Sequence, residues 1–117
     1  MADKKISKSE DLFEKKEYLN SLYDIYKDLF TPKQRSYFEA YFFDDLSLSE
    51  IALNYNVSRN AIFTALKTIE TSLEEYENIL KIKSKKEQIL NVLDEIEVKE
   101  EKEKTIKILK EKIIKIL

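Results

Sequence analysis

LSLSEIALNYNVSRNAIFTALK, residues Leu46 to Lys67, reads as two helices joined by a tight turn. Ala52 is small where two helices must cross closely. Four positions on, Asn56 stands where the turn needs a left-handed residue, and asparagine is the residue after glycine that best tolerates positive φ. Val57 is expected to plug the turn with an apolar side chain, and Ser58 to cap the next helix. Ile62 and Leu66 are spaced to bury one face of that helix. The pattern is that of a helix-turn-helix. In versions that bind DNA, the second helix enters the major groove and its N-terminal residues touch base edges.

Composition carries the same reading to the rest of the chain. Its 117 residues suit one domain with at most an appendage. Glycine is absent and Pro32 is the only proline. Tight β-hairpins draw on glycine or Asn-Gly turns, so a β-rich fold lacks its turn residues here. Apolar residues recur at spacings of three and four, which predicts an all-α fold.

Two further helices are expected before the two of the motif, and a helical tail after them. The first runs from about Ser9, its N-cap, to Leu29, with an apolar stripe of Leu12, Leu19, Leu22, Tyr23, Tyr26 and Leu29. The second has Thr31 as N-cap, Pro32 at its first position and Gln34 completing a capping box. It continues to about Phe43, and Tyr37, Phe38, Tyr41 and Phe42 line two adjacent faces as core. The third begins at Ser47 with Glu50 three residues on, a second capping box, and stops near Tyr55. The fourth starts after Ser58 and shows no break until about Ile82. Ser84, with Glu87 three residues on, suggests one more start.

From residue 84 the chain is rich in Lys, Glu, Ile and Leu. Residues 1–83 are therefore expected to form the helix-turn-helix domain and residues 84–117 a helical extension. Ile89, Leu93 and Ile96 form one stripe of the extension, and Ile106, Leu109, Ile113 and Ile116 another. KEEKEK, Lys99 to Lys104, separates them and shifts their phase by one position. Either one helix drifts across it, or the chain turns and a final helix is capped near Thr105. An amphipathic helix is not stable alone in water, so its stripe packs on the chain's own core or on a second copy. A homodimer is the expected result.

The absence of Cys and His excludes disulfides, Cys/His metal sites and imidazole acid–base catalysis. Asp44, Asp45 and Glu50 are expected to end and cap helices and not to bind a metal. No residue pattern points to an enzyme, and none calls for a cofactor. No apolar run is long enough to cross a bilayer, and the charged N-terminus has no signal core. A soluble, cytoplasmic protein is the expectation.

The outward side of the fourth helix carries Arg59, Asn60, Phe63, Thr64 and Lys67. Arg59 suits a phosphate or a guanine, Asn60 an adenine or a backbone oxygen, Thr64 a base or a thymine methyl, and Lys67 a phosphate. Phe63 suits a thymine methyl, an unpaired base or a protein partner, or else it folds back onto the first or last helix. Lys33 and Arg35 are candidates for supporting phosphate contacts. Charge points the other way: net charge is −2, and residues 32–83 hold 6 basic and 8 acidic side chains. Duplex binding draws much of its affinity from Lys and Arg on phosphates.

The segment from Leu22 to Leu80 resembles the YlxM family of small bacterial helix-turn-helix proteins. The carrying residues are FTPKQRSY at Phe30 to Tyr37, DDLSLSEIA at Asp44 to Ala52, YNVSRNA at Tyr55 to Ala61 and LEEYE at Leu73 to Glu77. The resemblance implies a fold similar to sigma factor region four, which reads promoter DNA. It also implies a DNA-binding or regulatory role linked, through gene neighbourhood, to the signal recognition particle pathway. The chain departs from the family pattern at Thr68, where a basic residue is usual, at Phe63, where tyrosine is usual, and at Ala65, where a polar residue is usual. The function expected is that of a nucleic-acid-binding regulator, on DNA more than RNA. The alternative is a protein-interaction module of the targeting or transcription machinery that keeps the fold without reading DNA.

Overall fold

The structure is a computed structural model that describes residues 8–95 and 102–117. The described residues form six α-helices and no strand. These are α1 (Lys8–Tyr26), α2 (Pro32–Phe42), α3 (Leu48–Tyr55), α4 (Arg59–Leu80), α5 (Ile82–Glu95) and α6 (Lys102–Ile116), with a 3-10 turn at Lys27–Leu29. The chain divides into two compact units between Ile79 and Leu80.

The first unit holds the core. Leu19, Leu22, Tyr23 and Tyr26 of α1 are buried with Tyr37 and Phe38 of α2, Ile51 and Ala52 of α3, and Ile62, Leu66, Ile69 and Leu73 of α4. Phe38 sits at its aromatic centre. Its ring stacks on Tyr23 at 4.1 Å and on Phe42 at 4.3 Å. Two phenol ends of this core are satisfied at its edge: the Tyr23 hydroxyl donates to Glu39, and that of Tyr26 donates to Glu77 Oε1 at 2.6 Å. Burial, and then the Glu39 carboxylate, push the Tyr23 hydroxyl up to about 12. Tyr23 is therefore a neutral donor throughout the physiological range.

Two members of the expected α1 stripe lie outside the core. Leu12 is 60% exposed because α1 runs on past the end of the core. Leu29 is 55% exposed because the helix tightens into the 3-10 turn before reaching it. At three residues per turn the phase of the stripe slips, and Phe30 takes the buried place. Ser9 lies inside α1, which already includes Lys8.

Local sequence sets the next three boundaries. Thr31 Oγ1 accepts from the Gln34 N–H at 3.1 Å while Gln34 Oε1 accepts from the Thr31 N–H at 2.9 Å. Pro32 at the first helical position loses nothing by lacking an N–H. Ser47 and Glu50 repeat the reciprocal pair at 3.1 and 2.9 Å. The Ser47 N–H first, and its hydroxyl second, hold the Glu50 carboxyl below its usual range. Glu50 is thus used as a cap.

Asn56 takes φ 54 and ψ 48, the left-handed turn its position called for. The Val57 N–H then reaches back to the Ala52 carbonyl at 3.0 Å. Val57 itself is 36% exposed and is not the plug expected. The left-handed residue closes the turn through backbone bonds and swings the Val57 side chain outward. Asn56→Val is expected to lower the unfolding free energy by about 1–2 kcal/mol, since a β-branched side chain crowds the left-handed region. Asn56→Gly should hold or raise it. Urea denaturation of both variants checks this, and equal stability of the two would show that the turn does not depend on φ at residue 56.

The second unit is a hairpin of α5 packed on α6. Lys81, at φ 55, ends α4 and lets α5 begin at Ile82, ahead of the start expected near Ser84. Ser84 instead lies in the first turn and accepts from Gln88 Nε2 at 3.2 Å. Two helices thus replace a single drifting one, and α6 begins before Thr105. Ile96 and residues 99–101 of the KEEKEK run lie outside the described residues. Ile89, Val92, Leu109, Ile113 and Ile116 are partly covered in the hairpin. Leu90, Leu93 and Ile106 stand about half exposed, and no described residue of α5 or α6 is fully buried.

Candidate nucleic-acid interface

The helix that carries the candidate residues is built by the turn before it. Ser58 Oγ accepts from the Ala61 N–H at 3.0 Å and starts α4 directly after the left-handed turn. Ile62, Leu66, Ile69 and Leu73 then fix which side of α4 faces the core. That register leaves Arg59, Asn60, Phe63, Thr64 and Lys67 exposed together on the first two turns. Arg59 and Asn60 lie on the first turn, where free backbone N–H groups and the helix dipole favour an anion.

Charge on this face is partly engaged. Lys67 Nζ lies 3.5 Å from Glu70 Oε2 and 5.7 Å from the centre of the Phe63 ring. Lys15 Nζ of α1 lies 3.5 Å from the same Glu70 oxygen. Glu70 therefore holds one lysine from each helix. Both lysine ends stand about half exposed, whereas the Glu70 carboxylate they share is mostly covered.

The α2 candidates sit apart from these five. Lys33 Nζ lies 5.8 Å over the Tyr37 ring, which meets Tyr55 edge-on at 4.9 Å at the end of α3. That places Lys33 beside the helix leading into the turn. Arg35 pairs with Asp28 Oδ1 at 3.6 Å and bears on the Tyr23 hydroxyl. Its guanidinium is thus directed to the α1 side of α2.

Phe63 has a second neighbourhood, beside the first helix. It is 45% exposed, and it borders a groove of about 190 Å³ shared with Leu12, Lys15 and Lys16 of α1. The meeting of these residues depends on how α1 packs against α4. The only local signal was Leu12, Lys15, Lys16 and Leu19 at helical spacing on one face of α1.

Among the described residues, no helix is long and apolar enough to cross a membrane. Residues 13–113 match the model of a family described as "Putative helix-turn-helix protein, YlxM / p13 like". A UPF0122 protein of Geobacillus sp. strain WCH70 is 47% identical over 85 residues, covering 70% of this chain and 77% of the relative. One from Listeria innocua is 44% identical over 86 residues, covering 74% and 78%. One from Mycoplasma capricolum is 41% identical over 104 residues, covering 88% and 92%. With a left-handed Asn56 between α3 and α4 and a family match that spans most of its length, this chain belongs to the YlxM/p13-like helix-turn-helix family.

Proposed function

We propose that this protein is a nucleic-acid-binding regulator, with DNA as its preferred ligand and a role in the signal recognition particle pathway. The observation that carries the reading is the exposed group on the first turns of α4: Arg59, Asn60, Phe63, Thr64 and Lys67. They stand where a helix-turn-helix meets base edges. Lys33 and Arg35 support them on phosphates, since the exposed pair with Asp28 releases Arg35 at little cost. The link to the targeting pathway rests on the family resemblance.

In this reading residues 1–83 are the nucleic-acid-binding domain, and residues 84–117 join two copies. The half-exposed Leu90, Leu93 and Ile106 support the homodimer, because a second hairpin would take them out of water. Sedimentation equilibrium is expected to show a dimer that becomes a monomer when Leu93→Asp and Ile106→Asp are combined. A wild-type chain that stays monomeric at high concentration would remove the dimer from the proposal.

One observation favours a second reading, that of a protein-interaction module. Phe63 lies half exposed in a segment with more acidic than basic residues. Both readings meet in one experiment: retention of fragmented genomic DNA and of the targeting-particle RNA by the purified chain, from low to physiological salt. Sequence-enriched retention that weakens steeply with salt supports the nucleic-acid reader. No retention even at low salt supports the protein-interaction module.

A further inference from the structure

Two matching rows face each other across the groove beside Phe63, and Tyr41 and Phe42 of α2 with Leu48 of α3 complete its lining. Leu12, Lys15, Lys16 and Leu19 stand at i, i+3, i+4 and i+7 on α1. Phe63, Leu66, Lys67 and Glu70 stand at the same spacing on α4. Leu19 and Leu66 are buried and make the floor, whereas Leu12 and Phe63 stand exposed as walls. The result is an apolar trough between α1 and α4, with α2 and α3 side chains contributing to its lining.

Its rim is basic. Lys15, Lys16 and Lys67 border it, and Glu70 is the one carboxylate among its lining residues. Glu70 already faces both Lys15 and Lys67 at 3.5 Å. Lys16 lies 5.3 Å over the Tyr41 ring and 6.0 Å over that of Phe42, with no carboxylate of the lining beside it. The whole chain holds 21 basic and 23 acidic side chains, so three lysines against one glutamate around one trough is a local reversal.

An apolar floor needs an apolar insert, which a phosphate backbone does not supply. A trough between two helices takes a third helix, whose anchors fall at i, i+3, i+4 and i+7. The lysine rim selects acidic residues flanking those anchors and disfavours basic ones. We infer that this groove docks an acidic amphipathic helix of another protein. The inference rests on the protein-interaction reading and gives it a surface and a partner chemistry.

The test is selection of a library of random helical peptides on the immobilised full chain. The most enriched peptide is then synthesised and titrated by fluorescence anisotropy. Enriched sequences are expected to carry Leu, Ile or Phe at groove spacing, with Asp or Glu between them. Leu12→Asp, and separately Lys15→Glu with Lys16→Glu, should weaken binding by about tenfold or more, the mark of a lost anchor. Leu12 is exposed, so its replacement leaves the core intact, which a thermal melt checks.

Enrichment of basic peptides overturns the inference. Peptides that bind the Leu12→Asp chain equally well place protein interaction elsewhere and remove the groove alone. No enrichment at all removes both the groove and the protein-interaction reading. A Leu12→Asp chain that loses self-association makes a second copy the occupant, and one that loses DNA or RNA retention makes nucleic acid the occupant. Either result overturns the inference as well.

Discussion

Phe38→Ala is expected to cost about 3–5 kcal/mol of unfolding free energy, the usual range for a buried phenylalanine truncated in a core. Phe38 is fully buried and stacks on both Tyr23 and Phe42. Its removal opens a cavity where α1 and α2 meet ring to ring. Small domains have only about 5–15 kcal/mol in total, so this one change takes a large part of it. The melting midpoint of the first unit should fall by roughly 12–40 °C at about 4–8 °C per kcal/mol. Phe43→Ala is the control. Its ring meets the same cluster edge-on but is half exposed, and its loss should cost about 1 kcal/mol or less. Calorimetry on both variants decides the matter. Equal losses would show that the Tyr23–Phe38–Phe42 stack does not dominate the core.

The second large effect concerns nucleic-acid binding. Arg59→Ala combined with Lys67→Ala should weaken DNA retention by about 2–6 kcal/mol, taking about 1–3 kcal/mol for each contact. The slope of log affinity against log salt should flatten by about two, since two charges no longer displace counterions. The fold should survive. Arg59 and Lys67 are exposed, and Glu70 keeps Lys15 as a partner when Lys67 is gone. Retention measured across a salt series separates the outcomes. A weaker complex with an unchanged slope would mean that these residues do not meet phosphates, and an unchanged complex would place the ligand on another face.

The boundaries that could be read from the sequence are those made by neighbours. Thr31 with Gln34, and Ser47 with Glu50, each form a complete bonding unit within four residues. Asn56 declares its backbone conformation by its own chemistry. The outward face of α4 was legible because Ile62 and Leu66 set the register of every residue between them. What could not be read depends on partners far along the chain or on a change of helical pitch. Leu12 and Leu29 continue the α1 stripe by spacing, but the core ends before the first and the 3-10 turn intervenes before the second. Val57 has the side chain of a plug, yet the Ala52 carbonyl closes the turn without it. Lys81 at positive φ has no composition signal, because lysine is not a residue that announces a left-handed turn. The groove needed α1 and α4 side by side, which no local window contains.

The bond from Tyr26 to Glu77 has a consequence for biosynthesis. A ribosome releases α1 before α4, with Leu19, Leu22, Tyr23 and Tyr26 uncovered. Their covering partners Ile62, Ile69, Leu73 and Glu77 are still to be translated. At about 5–20 residues per second, roughly several seconds pass before those partners are made. During that interval the nascent chain displays an amphipathic segment of aromatic and aliphatic residues, the kind of surface that chaperones at the exit tunnel recognise. The order of elements thus makes this small protein a client of its own translation rate: its first helix is the one that must wait for the last of the domain.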